Sequence, residues 1–299
     1  MKWKSEMMKD QTGKVAIVTG ANTGIGYHMA NALASKGARV IMACRSEQKA
    51  QDAKKRILVE YPQAKVDVRI LDLANLESTR IFAKKISSDY ERLDLLINNA
   101  GVMIPPHSKT KDGFELQFGT NHLGHFALTG HLLSLLDMTQ GSRIVTLSSI
   151  AHNPGIIDFD DLNSERKRYN KWGAYSQSKI ANLTFAIELE RRLKTQGSQV
   201  ISLASHPGYS NTDLQRHSIL WQFLNLFFAI SPKKGAAPTL FAATESEAKE
   251  HAYWGPIGLI EMRGWPGKAK INKKANDQDV AKRLWQVSEE LTGVKYLSK

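Results

Sequence analysis

A tyrosine, a lysine and a serine in this sequence have the types and spacing needed for acid–base chemistry. Tyr175 and Lys179 are four residues apart in a segment with a helical pattern, which puts the phenol and the ammonium on one helix face. A cation close to a phenol favours the phenolate, lowers the phenol pKa and makes it a candidate acid and base. Ser149 follows an apolar run, where its hydroxyl could hold a substrate oxygen. Because many helices carry Tyr and Lys at this spacing, the pair alone leaves a purely structural role open.

A glycine-rich segment at residues 19–26 has the character of a phosphate-binding turn. Gly20, Gly24 and Gly26 lie between an apolar run and a helical pattern. Glycines at such a junction let backbone N–H groups approach a pyrophosphate at the N-terminus of the helix. Three glycines also suit an ordinary turn, but the strand before them and the helix after them favour dinucleotide binding.

The end of the second apolar run bears on which dinucleotide is bound. Arg45 lies there, and residues 43–46 contain no carboxylate. In dinucleotide-binding folds an acidic residue in this region binds the ribose 2′-hydroxyl, whereas an Arg accommodates a 2′-phosphate. The sequence therefore predicts NADP(H) rather than NAD(H), with a solvent-facing Arg45 as the alternative interpretation.

The elements that must position these residues alternate along the chain. Apolar, largely β-branched runs predict strands at residues 15–18, 40–42, 66–71, 93–97, 144–147 and 200–203. Helical patterns lie between them at residues 24–36, 47–60, 75–90, 115–138 and 174–196. This order predicts an α/β fold with a doubly wound parallel sheet of the Rossmann type. One domain is expected to span residues 1–299, with its core at 14–212 and a C-terminal helix at 277–292.

Two segments interrupt the alternation, at residues 150–173 and 205–232. Both follow carboxyl ends of predicted strands, where open α/β sheets bind ligands. Residues 219–230 are apolar except for Gln222 and Asn225, which form a narrow polar stripe with Ser218. We expect the 205–232 insertion to be a lid over an apolar substrate. Internal packing, a homo-oligomer interface and contact with a membrane surface are the alternatives.

Composition and charge exclude several classes of protein. Hydrophobic residues make up 42% and charged residues 23% of the chain, which is typical of a globular protein and not of a disordered or polytopic membrane protein. The apolar stretch at 219–230 is shorter than the ~20 residues that span a bilayer. Cys44 is the single cysteine, and residues 1–12 contain no readable targeting segment. A cytoplasmic location is therefore expected.

The net charge of +12 favours anionic partners, including nucleic acid or an anionic membrane. Aromatic residues do not interleave with the basic ones in a stacking pattern, so the sequence predicts no nucleic-acid partner. His122, His125 and His131 lie in a helical pattern without a carboxylate at matching spacing, so no metal site is predicted either. His152 and His206 lie near the predicted site, and both packing and proton transfer remain open for them.

Together these motifs resemble the short-chain dehydrogenase/reductase family. The resemblance rests on residues 19–26, 98–101, 175–179 and 206–208, with Asn121 and Ser149, in the family's order within residues 14–212. Residues 148–152, 160–163 and 175–179 make the chain most similar to the retinol-dehydrogenase-like branch. The local sequence at 209–211 is less typical of the family.

The resemblance implies a role for each reactive residue. Ser149 would orient a carbonyl, Tyr175 would donate its proton, Lys179 would lower the Tyr pKa and bind ribose, and Asn121 would hold a relay water. The implied cofactor-binding residues are Gly20, Asn22, Thr23, Gly24, Ile25, Gly26, Arg45, Asp72, Leu73, Asn99, Ala100, Gly101, Tyr175, Lys179, Pro207, Gly208 and Thr212. The implied activity is hydride transfer between NADP(H) and a small-molecule carbonyl/alcohol pair, with carbonyl reduction as the favoured direction. A non-catalytic dinucleotide-binding sensor or scaffold is the alternative, which the presence of all four reactive residues disfavours.

Overall fold

The computed structural model describes residues 2–208 and 231–297, and its strands form one sheet. The strands are β1 (Val15–Thr19), β2 (Arg39–Cys44), β3 (Val66–Ile70), β4 (Leu95–Asn98), β5 (Arg143–Leu147), β6 (Ile201–Ser205), β7 (Tyr253–Gly258) and β8 (Arg263–Lys268). In this part of the chain their order is β3-β2-β1-β4-β5-β6-β7-β8. Strands β1 to β7 are parallel, and β8 pairs antiparallel with β7. The predicted doubly wound α/β fold is confirmed, and the strand order reverses between β1 and β4.

Helices cover both faces of the sheet. They are α1 (Gly24–Ser35), α2 (Glu47–Glu60), α3 (Leu76–Asp89), α4 (Leu116–Phe118), α5 (Gly124–Asp137), α6 (Lys171–Thr195), α7 (Pro232–Thr244) and α8 (Gln278–Thr292). A π-helical segment, Gly119–Leu123, joins α4 to α5 within the single helix predicted at residues 115–138. The predicted C-terminal helix is α8, which ends at Gly293 in the left-handed conformation (φ 68°) that glycine adopts at low cost.

Side chains of the strands alternate between two apolar cores. In β1, Ala16 and Val18 belong to a core shared with α1 and α7, whereas Ile17 belongs to a second core on the opposite face. Phe82 of α3 and Phe126 of α5 pack in that second core. Because both faces of the sheet are covered, the strands read in the sequence as continuous apolar runs.

The two strands at one edge of the sheet are absent from the sequence prediction. β7 and β8 each contain one proline and two glycines, residues that are depleted in strands. Pro256 and Pro266 are paired across the β7–β8 hairpin. Pro266 lies in the edge strand β8, and Pro256 lies beyond Trp254, where the pairing of β7 with β6 ends. Proline is tolerated at such positions because its missing backbone donor leaves no further strand unpaired. The hairpin turns at residues 259–262, where Leu259, Ile260 and Glu261 have φ values of 43°, 53° and 61°.

The expected lid at residues 219–230 lies outside the described residues, and so does Thr212. The described chain resumes before α7, whose N-cap Ser231 accepts a hydrogen bond from the Lys234 backbone N–H at 3.5 Å. Within residues 2–208 and 231–297, no helix is both long enough and apolar enough to cross a membrane.

Candidate active site

The carboxyl ends of the parallel strands border an open cleft of about 290 Å³. Most of the residues expected to bind a dinucleotide line it. These are Gly20, Asn22, Thr23, Gly24, Ile25, Gly26, Arg45, Asp72, Leu73, Asn99, Ala100, Gly101, Tyr175, Lys179 and Pro207. The cleft lies where the strand order reverses, which is where ligands bind to sheets of this kind.

The glycine-rich turn after β1 is closely packed on itself. Gly20 has a φ of 66°, and its N–H donates to the Ala43 carbonyl at 2.8 Å. A Cβ on Gly26 would overlap the Gly20 carbonyl oxygen, so only glycine fits there without movement of the turn. The Asn99 side-chain amide donates to the Thr19 carbonyl at 2.6 Å and ties the end of β4 to this turn. The turn that begins α1 therefore keeps this close packing only with glycine at position 26.

A buried threonine and histidine connect the turn to α5. The Thr19 hydroxyl accepts hydrogen bonds from the backbone N–H groups of Asn99 and Ala100, both at 2.9 Å. It also lies 3.0 Å from His125 Nε2, while His125 Nδ1 lies 2.9 Å from the Asn121 carbonyl oxygen. Burial lowers the His125 pKa to about 4, so the ring is neutral. A carbonyl can only accept, so the ring proton is on Nδ1 and Nε2 accepts from the Thr19 hydroxyl.

Asn121 lies in the π-helical segment and is fully buried. Its Oδ1 accepts from the Val102 N–H at 2.8 Å, and its Nδ2 donates to the Val102 carbonyl at 3.0 Å. Nδ2 also donates to the Ser178 hydroxyl at 3.0 Å. Asn121 therefore fastens the loop after β4 to α6, next to the Tyr175 and Lys179 pair.

Tyr175 and Lys179 of α6 are side by side and almost fully buried. Lys179 Nζ lies 5.6 Å from the centre of the Tyr175 ring and donates to the Leu147 carbonyl at 3.3 Å. Burial raises the Tyr175 pKa to about 12, an effect that its hydrogen bond with Ser149 opposes. Burial also lowers the Lys179 pKa to about 8. The sequence predicts a lowered Tyr pKa from the Lys alone, and this prediction leaves out the burial that dominates in the dinucleotide-free protein.

Replacing Lys179 by Met is expected to flatten the pH dependence of the free energy of unfolding between about pH 8 and pH 10. The folded-state pKa of Lys179 is about 8, below its ordinary value near 10.4 in an unfolded chain. In this window the unfolded chain binds more protons than the folded protein, so stability rises with pH. The substitution should remove about 2 kcal/mol of that rise. Denaturant titrations of the dinucleotide-free protein measure it. The exposed Lys282→Met on α8 should keep the wild-type slope, and a wild-type slope for Lys179→Met would contradict the prediction.

Three of the predicted residues that the structure describes are not in the cleft lining, and a fourth lies outside the described residues. Ser149 caps a short 3₁₀ helix, Ile150–His152, and accepts from the Ala151 N–H at 3.2 Å. Its side chain hydrogen-bonds with Tyr175, which does line the cleft. Asn121 is hydrogen-bonded to the backbone of Val102, which does line the cleft. Gly208 follows Pro207 just beyond the cleft, and Thr212 lies outside the described residues.

Several lining residues were not predicted from the sequence. They are Ala43, Cys44, Leu71, Val102, Thr120, Leu147 and Ser148. Most of them immediately precede or follow a predicted catalytic or binding residue at the end of a strand, and that position is the signal that could have found them. Their side chains are mostly apolar or small, so a search for reactive residue types passes over them.

Similarity to known proteins agrees with this geometry. The model of the short chain dehydrogenase family matches residues 14–222. Retinol dehydrogenase 13 of Homo sapiens is 45% identical over 297 residues, covering 95% of this chain and 86% of the relative. Retinol dehydrogenase 12 of Homo sapiens is 43% identical over 290 residues, covering 95% and 88%. The crystal structure of an uncharacterized protein from Mycobacterium paratuberculosis superposes with a TM-score of 0.84 at 40% identity, covering 99% of both chains. The chain therefore belongs to the short chain dehydrogenase family and, within it, to the retinol-dehydrogenase-like branch.

Proposed function

We propose that this oxidoreductase transfers a hydride between NADP(H) and an apolar carbonyl/alcohol pair, with Tyr175 as the acid and base. The observation that carries the proposal is that Tyr175 and Lys179 line the same cleft as the glycine-rich turn. This shared lining supports a role for Tyr175 in proton transfer beside a bound dinucleotide.

The cleft residues fit a nicotinamide dinucleotide. Gly26 adds no side chain to the closely packed turn, and the N-terminus of α1 carries a partial positive charge that suits a pyrophosphate. Asp72, Leu73 and Asn99 would hold the adenosine and ribose groups, and Lys179 and Pro207 would hold the part nearest Tyr175. When bound, the dinucleotide supplies or accepts the hydride.

The chain's own residues would handle the proton. In carbonyl reduction the Tyr175 O–H donates its proton to the carbonyl oxygen, and the Ser149 hydroxyl donates a hydrogen bond to the same oxygen. The Lys179 ammonium stabilises the phenolate that remains, and burial of both groups strengthens their attraction because little water screens it. The backbone carbonyl oxygen of Asn121 accepts a hydrogen bond from His125 Nδ1. Its second lone pair would accept from a water that relays the proton.

Replacing Arg45 by Ala should weaken NADPH binding while leaving NADH binding nearly unchanged. Arg45 is exposed at the mouth of the cleft, just before α2. A charge-assisted hydrogen bond to the 2′-phosphate is worth about 1.5–3 kcal/mol, which corresponds to roughly 10- to 150-fold in affinity. Fluorescence titration with both dinucleotides measures the effect, and Arg80→Ala on α3, an exposed Arg paired with Glu77, is the matched control. Equal weakening of both dinucleotides, or of neither, would show that Arg45 does not read the phosphate.

The substrate class rests on the relatives and on the sequence. Two relatives are named as retinol dehydrogenases, and retinol is a long apolar alcohol. The apolar residues 219–230 agree with such a substrate.

Nicotinamide absorbance, followed with NADPH or NADH and aldehydes of increasing length including retinal, tests the proposal. We expect NADPH to be preferred and kcat/KM to increase with length. Tight NADPH binding without turnover on any carbonyl would favour the sensor or scaffold instead. The cytoplasmic location stays a prediction.

A further inference from the structure

A contact between the buried His206 and the partly exposed Glu261 joins the β7–β8 turn to the wall of the cleft. His206 follows β6 and is fully buried, and the next residue, Pro207, lines the cleft. His206 Nδ1 accepts a hydrogen bond from the Gly208 N–H at 3.3 Å. His206 Nε2 lies 3.4 Å from Glu261 Oε2, within ion-pair distance, and makes no hydrogen bond within the described part of the chain. The imidazole therefore links a carboxylate on the turn to the backbone of residues 206–208.

The contact with Gly208 selects one tautomer of the His206 ring. Because Nδ1 accepts from Gly208, the ring proton is on Nε2, the nitrogen nearest Glu261. The contact with His206 lowers the pKa of the Glu261 carboxyl, which is then ionised at neutral pH. An N–H group is attracted more strongly to an ionised acceptor than to a neutral one. The carboxylate thus holds the ring in the orientation that receives the Gly208 N–H.

Two glycines make room for this arrangement. A Cβ on Gly255 of β7 would overlap His206 Nε2. A Cβ on Gly208 would lie 2.5 Å from the Met262 carbonyl oxygen, and the φ of Gly208 is 74°. The β7–β8 turn therefore packs directly against residues 206–208. Glu261 Oε1 also accepts from the Lys270 N–H at 2.7 Å, which anchors the carboxylate to the chain after β8.

The same cluster extends to the serine beside Tyr175. Tyr253 packs between two histidines, with its ring centre 5.1 Å from that of His206 and 5.4 Å from that of His152. His152 Nδ1 donates to the Ser149 carbonyl at 2.6 Å. All three aromatic side chains are buried, so a shift of His206 is transmitted through close packing.

We propose that Glu261 is a positioning residue, which acts through His206 to hold residues 206–208 in the conformation that binds the dinucleotide. The inference rests on the proposed function for its dinucleotide. Glu261 does not line the cleft, and its effect is expected on dinucleotide affinity more than on turnover at saturation.

A double-mutant cycle separates this role from a general structural one. Glu261→Ala removes the carboxylate, and His206→Asn keeps an acceptor for the Gly208 N–H but withdraws the group that faces Glu261. Each variant should raise the Kd for NADPH about 10-fold, with kcat at saturating NADPH changed by less than about 3-fold. The double variant should be no worse than either single one, because both break the same contact. Glu77→Ala on α3, an exposed carboxylate paired with Arg80, should bind NADPH like the wild type.

Two readouts on the dinucleotide-free protein complete the test. Nitrogen NMR of the His206 ring should show the Nε2–H tautomer in the wild type and a mixture in Glu261→Ala, and the Gly208 amide should exchange faster in that variant. Wild-type NADPH affinity in Glu261→Ala, additive effects in the cycle, or an unchanged tautomer would overturn the inference. Failure of the wild type to bind NADPH would refute the proposed function, and the inference with it. Glu261→Asp, which withdraws the carboxylate by one methylene, replaces Glu261→Ala if that variant does not fold.

Discussion

Replacing Tyr175 by Phe is expected to lower the turnover number for carbonyl reduction by about 10²–10⁴, the usual contribution of a positioned acid. The Phe ring would fill the same space, because the Tyr175 side chain is only 7% exposed. The substitution removes only the phenol hydroxyl, which hydrogen-bonds with Ser149. NADPH affinity and thermal stability should therefore stay close to those of the wild type. Nicotinamide absorbance measures the turnover, and fluorescence titration measures the affinity.

Tyr61→Phe is the matched control for this substitution. The Tyr61 hydroxyl donates to Glu60 at 2.6 Å at the exposed end of α2, away from the cleft. Its removal should leave turnover unchanged. If Tyr175→Phe also keeps near-wild-type turnover, Tyr175 is not the proton donor. A parallel loss of NADPH affinity would instead indicate a defect in the cleft itself.

Gly26→Ala is expected to raise the Kd for NADPH by about 100-fold or more. The added Cβ would overlap the Gly20 carbonyl oxygen and lie 2.6 Å from Asn99 Nδ2, so the turn after β1 must open. Opening withdraws backbone N–H groups from the pyrophosphate, and each hydrogen bond to a charged group is worth about 1.5–3 kcal/mol. Overpacking also costs about 1–3 kcal/mol of folding stability. Titration with NADPH and thermal unfolding measure the two effects separately.

Gly173→Ala tests whether any added methyl near a helix start has this effect. Gly173 is in the first turn of α6, where a Cβ would come no closer than 3.4 Å to the nearest side-chain atom of Asn170. Alanine has the higher helix propensity, so this variant should be neutral or slightly more stable. Unchanged NADPH affinity in Gly26→Ala would show that the turn is not part of the dinucleotide-binding site.

The sequence predicts the fold where buried strands appear as apolar runs, and it predicts the cleft where binding residues directly follow a strand. Strands covered on both faces appear as apolar runs, and residues just after them, such as Arg45 and Asn99, meet at one edge of the sheet. The sequence order of these runs is enough to predict a shared cleft. Val102 escapes prediction because an apolar side chain does not signal binding, and Ser148 escapes it because the neighbouring Ser149 is the hydroxyl assigned to the site.

The remaining features depend on contacts that spacing along the chain does not encode. Glu261 meets His206 only because β7 and β8, rich in glycine and proline, add an edge hairpin that the strand pattern does not reveal. The raised Tyr175 pKa comes from burial by the surrounding fold, whereas the sequence displays only the neighbouring Lys179. Long-range packing therefore decides both the wall of the cleft and the electrostatics inside it.

The π-helical segment Gly119–Leu123 determines in which directions the side chains before and after it point around the helix axis. An α-helix turns by about 100° per residue, and a π turn holds one extra residue within a single turn. That extra residue lets Asn121 face Val102 and Ser178 while His125, four residues later, faces Thr19. Removing one residue here would preserve a continuous helix but rotate one of these contacts out of reach. The residue count of this helix, as well as its composition, therefore decides whether the cleft and α6 are joined correctly.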